Sequence, residues 1–392
     1  MDKYALLFPG QGSQYTGMGK SLIEKDSSIK IIFEEASEIL GFKLIDACQN
    51  TSQYNLQKSC NAQVAILTVS YASYLVYKNL FIENPSFVLG HSLGEYSALV
   101  VAGSLNFSDA LKIVYKRGLL MDEVSQSCLG SMVALNNISL KVLEEICAEI
   151  SKKNKIIVIS NYNGPNEIVL SGHNNAINEL ELLIQKKTKA NMIKLNVSAP
   201  FHSPIMEPIV FQMKTELGKY TFNFPKIPII SSVDGKPYNN RNVIENLTNQ
   251  ICSPVYWSKA IDFLIDSGVK TFIDVGPKSI LKNLVKSHIS INNILNYKTI
   301  STFSLDNKED IKAIEQNRRQ LLTQYLKNLL KEAITEKNLN SSIDDYQEKV
   351  VNLYHNVEQT YKKVKQGSII NNNDLYDVEV LINKILKYKR CT

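Results

Sequence analysis

The chain lacks any organised cysteine pattern. Cys48, Cys60, Cys128, Cys147, Cys252 and Cys391 are scattered without a Cys-x-x-Cys spacing. That argues against a disulfide framework and against a structural zinc site, and no metal is expected. Reduced thiols in a cytoplasmic protein are the expectation. No apolar run approaches the roughly 20 residues that span a bilayer, so no membrane partner is expected. The apolar stretch Tyr4-Ala5-Leu6-Leu7-Phe8 near the start is too short for a secretory leader and reads as a first strand. No arginine-rich stripe with interleaved aromatics occurs, which argues against nucleic acid. The net charge of +6 is a mild excess that suits anionic partners.

What is present describes a globular protein. A length of 392 residues allows two or three cores. The most informative stretch is Val88-Leu89-Gly90-His91-Ser92-Leu93-Gly94-Glu95-Tyr96. It reads as a strand, a Gly-x-Ser-x-Gly turn and a helix start, with Ser92 projected from the elbow beside the positive end of the helix. Serine needs geometry and a base to become a nucleophile, and such a turn supplies the geometry. Taken alone, the pattern also fits a turn with a capping serine. The apolar run before it and the small apolar run Tyr96–Ala102 after it favour the elbow.

Periodicity and punctuation place the other elements. The first strand ends in Pro9-Gly10-Gln11-Gly12-Ser13-Gln14. This loop lacks both the Gly-x-Gly-x-x-Gly spacing and the Lys-Ser/Thr of a phosphate loop. Backbone N–H groups approaching a reacting carbonyl are the better reading. Helices are expected over residues 17–40, 61–80 and 206–218, with another from Ser108 through Met121, and a strand over 227–232. From about Cys128 the order becomes strand (131–135), helix (139–151), two strands (156–160 and 167–172) around Asn163-Gly164-Pro165, helix (174–187) and strand (192–197). That β-α-β-β-α-β order is ferredoxin-like. The expected architecture is therefore a discontinuous α/β-hydrolase-like domain with a parallel sheet (1–125 and 199–295), an inserted ferredoxin-like domain (126–198) and a helical C-terminal extension (296–392). In that extension, residues 308–335 and 342–366 read as polar amphipathic helices.

With Ser92, Arg117 and His202 in place, the chain resembles the malonyl-CoA:acyl carrier protein transacylases over roughly residues 4–290. The resemblance rests on Phe8-Pro9-Gly10-Gln11-Gly12-Ser13-Gln14, Gly90-His91-Ser92-Leu93-Gly94-Glu95-Tyr96 and Lys116-Arg117-Gly118 with Met121. It continues through Phe201-His202-Ser203, Gln250 with Pro254 and Trp257, and Asp274-Val275-Gly276-Pro277, in matching order and spacing. Asp345-Tyr346-Gln347-Glu348-Lys349-Val350-Val351 with Tyr354 and Gln359 resembles the extension of stand-alone acyltransferases that serve polyketide synthases of the trans-acyltransferase type.

The resemblance implies a ping-pong transfer in which Ser92 carries the malonyl group and His202 serves as base and then acid. Malonyl-CoA is the implied donor and the acyl carrier protein domains of a polyketide synthase the implied acceptors. No cofactor is implied, and a monomer is expected. Backbone N–H groups of Gln11 and Leu93 are the implied oxyanion hole. Arg117 is the implied partner of the substrate carboxylate, which a guanidinium fork meets with two charge-assisted bonds. Gln250 is implied near His202, whose second nitrogen faces a backbone carbonyl where a hydrolase triad has a carboxylate. His91, next to the nucleophile, reads as structural or pocket-lining. Phe201 implies a leaning toward malonyl over methylmalonyl units. Met121 and Met132 are expected to line the acyl pocket. Asn161 and Asn163 are expected either at the thioester arm or as turn formers. Pro200 and Pro204 with Ile205 depart from the family pattern around His202. The competing readings are the same transfer in fatty-acid synthesis, a hydrolase of acyl carrier proteins, and an inactive synthase-docking protein.

Overall fold

The computed structural model describes the chain except residues 1–2, 50–54, 82, 128, 152–154, 239–241, 293–298, 341–344, 369, 371 and 391–392. Cys128 and Cys391 therefore lie outside the described residues, and Cys48, Cys60, Cys147 and Cys252 are free thiols. The chain forms two compact units, one of Met1–Val76 with Pro85–Asn307 and one of Tyr77–Asn84 with Lys308–Thr392.

The first unit is built on two sheets. Strands β1 (Lys3–Phe8) and β2 (Phe87–Gly90) belong to the first, and β3 (Gly130–Asn136), β4 (Ile157–Gly164), β5 (Glu167–His173) and β6 (Asn191–Lys194) form the second. Strands β7 (Ile229–Ile230), β8 (Val269–Asp274) and β9 (Ser301–Ser304) complete the first. Its order is β7-β2-β1-β8-β9, and every pairing is parallel. The central strand β1 buries Ala5, Leu6, Leu7 and Phe8 completely. A strand covered on both faces by helices reads as such a continuous apolar run. From β1 the sheet grows one way to β2 and the other way to β8. Ligands in such sheets bind outside the carboxyl ends of the strands near that reversal. Phe8 pairs with Gly90, so the loops leaving β1 and β2 start side by side.

The second sheet has the order β4-β5-β3-β6, all antiparallel, which is the ferredoxin-like arrangement. The helices Leu140–Ser151 and Asn174–Lys187 cover it through Leu143, Ile146, Ile150, Ile177, Leu180 and Ile184.

Several boundaries differ from the sequence reading for local reasons. The first helical stretch is broken at Asp26, whose extended backbone and carboxylate hold Ser28 N at 3.0 Å and give a 3-10 turn before Lys30–Leu40. The helix after His202 begins as a 3-10 segment, Pro204–Ile209, and turns α-helical over Val210–Leu217, because Pro208 cannot donate to the ladder. The strand expected over 227–232 shortens to β7, since Pro228 also lacks an N–H and Ser231 N turns back to Lys236 O at 2.8 Å. β4 runs on through Asn161, Tyr162 and Asn163 to Gly164. The parallel sheet also takes in β9, beyond residue 295.

The second unit contains Lys308–Thr335, a π-helical turn Gln347–Asn352 leading into Leu353–Lys365, and a helix not foreseen, Asn372–Arg390. It has its own core of Leu322, Leu326, Val357, Val364, Ile382 and Ile385. Buried Lys389 donates to Ala333 O at 2.7 Å and Glu336 O at 3.1 Å, satisfying carbonyls at the end of Lys308–Thr335. No described helix is long and apolar enough to cross a membrane.

Candidate active site

β2 ends at Gly90, and the helix Gly94–Val101 begins only four residues later. The reversal puts Ser92 at φ 51°, a left-handed conformation that costs a side-chain-bearing residue energy and concentrates at functional turns. The two glycines of the motif answer to contacts. A Cβ at Gly90 would lie 2.0 Å from Glu95 N, and one at Gly94 would lie 1.9 Å from Phe8 O. A Cβ at Gly10 would lie 2.5 Å from His91 O. The glycine-rich loop therefore rests directly on the elbow, held also by His91 N donating to Phe8 O at 2.9 Å. Neither the Gln11 nor the Leu93 backbone N–H donates to a protein acceptor among the described residues. Asp274 and Gly276 support this loop from behind. Asp274 accepts the backbone N–H groups of Leu281 and Lys282, and Gly276 lies where a Cβ would strike Pro9.

His202 arrives from a loop flanked by prolines and also holds a left-handed φ of 57°. Its Nε2 lies 2.7 Å from Ser92 Oγ. Its Nδ1 faces two backbone carbonyls, Gln250 O at 2.8 Å and Ser253 O at 3.1 Å. Two acceptors there require the proton on Nδ1, so Nε2 accepts from the serine hydroxyl. Among the described residues no carboxylate bonds the ring. Burial, the Arg117 charge and His91 push its pKa down to about 3, against the weaker upward pull of the two carbonyls. The resting imidazole is neutral.

Arg117, in the helix Phe107–Ser127, is buried at 2% exposure. Its guanidinium donates to Gln63 Oε1 at 2.8 Å, Ser92 Oγ at 3.1 Å and Gln250 Oε1 at 3.2 Å, while Nε has no partner among the described residues. It also lies 5.8 Å from the Tyr96 ring centre. Every one of these partners is neutral. A buried cation so placed is poised for an anion, because desolvation is offset only by pairing.

The remaining expected residues fall into two groups. Gln250, Met121 and His91 join the cluster, and Phe201 directly precedes His202 in the chain. Gln250 contacts Arg117, Ser92 O and His202 together. Phe201 is buried beside His202, its carbonyl accepting from Ser171 Oγ at 2.6 Å. Met121 Sδ lies 3.2 Å from Gln63 Nε2. His91 bonds Asn163 Oδ1 at 2.9 Å and packs against Trp257, and burial pushes its pKa down. Asn163 spends its carbonyl on His91 and its amide on Glu167 Oε1 at 2.7 Å. Asn161 accepts from Ser160 Oγ and bridges to Val255. Both asparagines thus join the second sheet to the elbow and to the 250–257 loop. Met132 is buried on β3.

Two residues of the cluster escaped the sequence reading. Gln63, in Ser59–Tyr77, links Arg117, Met121 and the Gln11 side chain at 2.8–3.2 Å. The other is Glu95. Both are polar groups inside apolar helical runs, and that was the available signal, since buried polar groups need partners. No group of described residues could hold a metal ion.

This geometry can be set beside known proteins. A family model described as an acyl transferase domain matches residues 5–327. A malonyl CoA-acyl carrier protein transacylase of Bacillus subtilis is 36% identical over 372 residues, covering 94% of this chain and 92% of that protein. One from Staphylococcus aureus is 36% identical over 318 residues, 81% of this chain and 100% of that protein. Among solved structures, the transacylase of Clostridium perfringens superposes with a TM-score of 0.75 at 33% identity, covering 82% of this chain and 99% of the other. A malonyl-transacylase in complex with a type II polyketide synthase acyl-carrier protein gives 0.74 at 29% identity, covering 80% and 99%.

Proposed function

The chain belongs to the acyl transferase domain family, and on that premise we propose that it charges the acyl carrier protein domains of a polyketide synthase with malonyl groups. Its activity is that of a malonyl-CoA:acyl carrier protein transacylase with a serine nucleophile. The observation that carries the site assignment is the convergence of His202 and Arg117 on one oxygen, Ser92 Oγ, at 2.7 and 3.1 Å.

The thioester carbonyl of malonyl-CoA enters over Ser92, and its carboxylate takes the guanidinium of Arg117. Ser92 Oγ attacks the carbonyl carbon while its proton passes to His202 Nε2. The N–H groups of Gln11 and Leu93 hold the oxyanion. The C–S bond then breaks, and the imidazolium returns its proton to the departing CoA sulfur. The carrier's pantetheine thiol reverses these steps, so no net proton is taken up. Arg117 helps to hold the His202 pKa low. A bound carboxylate screens that charge and makes the imidazole a stronger base at the moment it is needed.

What supports the polyketide reading is the resemblance of Asp345-Tyr346-Gln347-Glu348-Lys349-Val350-Val351, with Tyr354 and Gln359, to the extension of stand-alone acyltransferases of the trans-acyltransferase type. The Bacillus subtilis relative aligns over 94% of this chain, whereas the Staphylococcus aureus relative aligns over its whole length with 318 residues. Fatty-acid synthesis is the second reading, because the site chemistry is the same. Competition between carrier proteins of the two pathways for the malonyl-enzyme separates them. Faster transfer to polyketide carriers is expected, and a preference for the fatty-acid carrier overturns the assignment.

A further inference from the structure

Glu95 is the acidic residue of the elbow motif, and nothing in the transfer steps uses it. It is fully buried in the first turn of Gly94–Val101. Four donors surround its carboxylate. Gln250 Nε2 and Ser232 Oγ each lie at 2.6 Å, Ser232 N lies at 3.4 Å, and the Tyr238 hydroxyl completes the set. Such a cage suits an acceptor-only group.

The contact with Gln250 has a directional consequence. A carboxylate accepts only, so it selects the NH2 end of the Gln250 amide. The carbonyl end must then face the other way, where Arg117 reaches it at 3.2 Å. The same NH2 also donates to Ser92 O at 3.1 Å, and the Gln250 main-chain carbonyl receives His202 Nδ1 at 2.8 Å. One glutamine therefore touches the nucleophile, the base and the carboxylate-binding cation, and its orientation is set from behind.

We propose that Glu95 is a positioning residue that fixes the Gln250 amide and thereby aims Arg117 at the acyl carboxylate, a reading that rests on malonyl transfer by this site. Without the negative charge the amide is free to turn, and its NH2 then meets the guanidinium donor to donor. Arg117 moves off, and a diacid loses its anchor. A monocarboxylic acyl group, which never used that anchor, loses much less.

The experiment compares serine acylation by malonyl-CoA and by acetyl-CoA, followed by intact mass, in the wild type and in Glu95→Gln. The malonyl-to-acetyl ratio of kcat/KM is expected to fall about 10- to 100-fold, as for loss of a charge-assisted bond. In a Gln250→Leu background the same substitution is expected to add nothing to the ratio, because the two act as one unit. Tyr238→Phe, which removes one donor but leaves the charge and the Gln250 contact, is expected to keep the wild-type ratio. Glu95→Asp, with a shorter reach to Gln250, supplies the same readout if Glu95→Gln does not fold. An equal loss for both substrates, or a shift in Tyr238→Phe as large as that in Glu95→Gln, overturns the proposal in favour of a purely structural cluster. Absence of malonyl loading in the wild type defeats instead the transfer reading on which the proposal rests.

Discussion

The Nδ1–H of His202 donates to the main-chain carbonyl of Gln250 at 2.8 Å. A neutral acceptor in that place fixes the tautomer of the base without adding charge, and burial, with the Arg117 charge and His91, keeps the ring unprotonated well below neutrality. The consequences reach rate, stability and selectivity.

Acylation by malonyl-CoA should show no His202 ionisation in the free enzyme between pH 5 and 8, because that pKa is held near about 3. The check is kcat/KM for acylation against pH. An inflection near pH 6.5 that disappears in His202→Asn contradicts it. His202→Ala should slow acylation by about 10²- to 10⁴-fold.

The same shift predicts a stability change. The folded-state pKa of His202 lies below its ordinary 6.5, so the unfolded chain binds more protons between about pH 3 and 6.5. Stability must therefore rise with pH across that window and fall on acidification. Urea midpoints at pH 5 and 7 should differ less in His202→Asn than in the wild type. An identical difference in both contradicts the assignment.

Arg117→Ala should reduce malonyl loading by about 10²- to 10³-fold, the scale set by stranding a buried charge without its partner. Acetyl loading should survive or rise. Rates with both acyl donors provide the check, and unchanged malonyl loading rejects the role of Arg117.

Gly94→Ala should separate the elbow from the loop after β1, because its Cβ would lie 1.9 Å from Phe8 O, a backbone atom with little room to move. Overpacking of this kind costs about 1–3 kcal/mol. The melting temperature should fall and the acylation rate should fall with it. Normal activity in a well-folded Gly94→Ala variant would mean the loop need not touch the elbow.

Lys389→Met should destabilise the helical unit by about 1–3 kcal/mol, since it orphans the carbonyls of Ala333 and Glu336. Hydrogen exchange along 308–336 should rise while exchange in the parallel sheet stays unchanged. Uniform protection in both units contradicts this.

The elbow was legible because its chemistry is local. Gly90, Ser92 and Gly94 lie within five positions, and each glycine answers a steric demand of the same turn. Arg117 and His202 were legible only through the resemblance, since a lone arginine in a helix and a histidine between prolines carry no local signal. Glu95 escaped because its partners Ser232, Tyr238 and Gln250 are 137 or more positions away and reach it from the segment after β7 and from the end of the helix Val243–Asn249. The helix Asn372–Arg390 was a missed pattern. Leu375, Val378, Ile382, Ile385 and Leu386 recur at helical spacing and are all buried, but the asparagine-rich start and dense charge masked them. Breaks at Asp26 and Pro208 were written in the sequence, and the apolar periodicity around them outweighed them.

The most direct test is intact mass after mixing the enzyme with malonyl-CoA, followed by peptide mapping. The account predicts one added malonyl group on Ser92, lost again when a pantetheine-bearing carrier protein is supplied, and none in Ser92→Ala. An adduct that persists in Ser92→Ala, or a wild type that never acquires one, would contradict it.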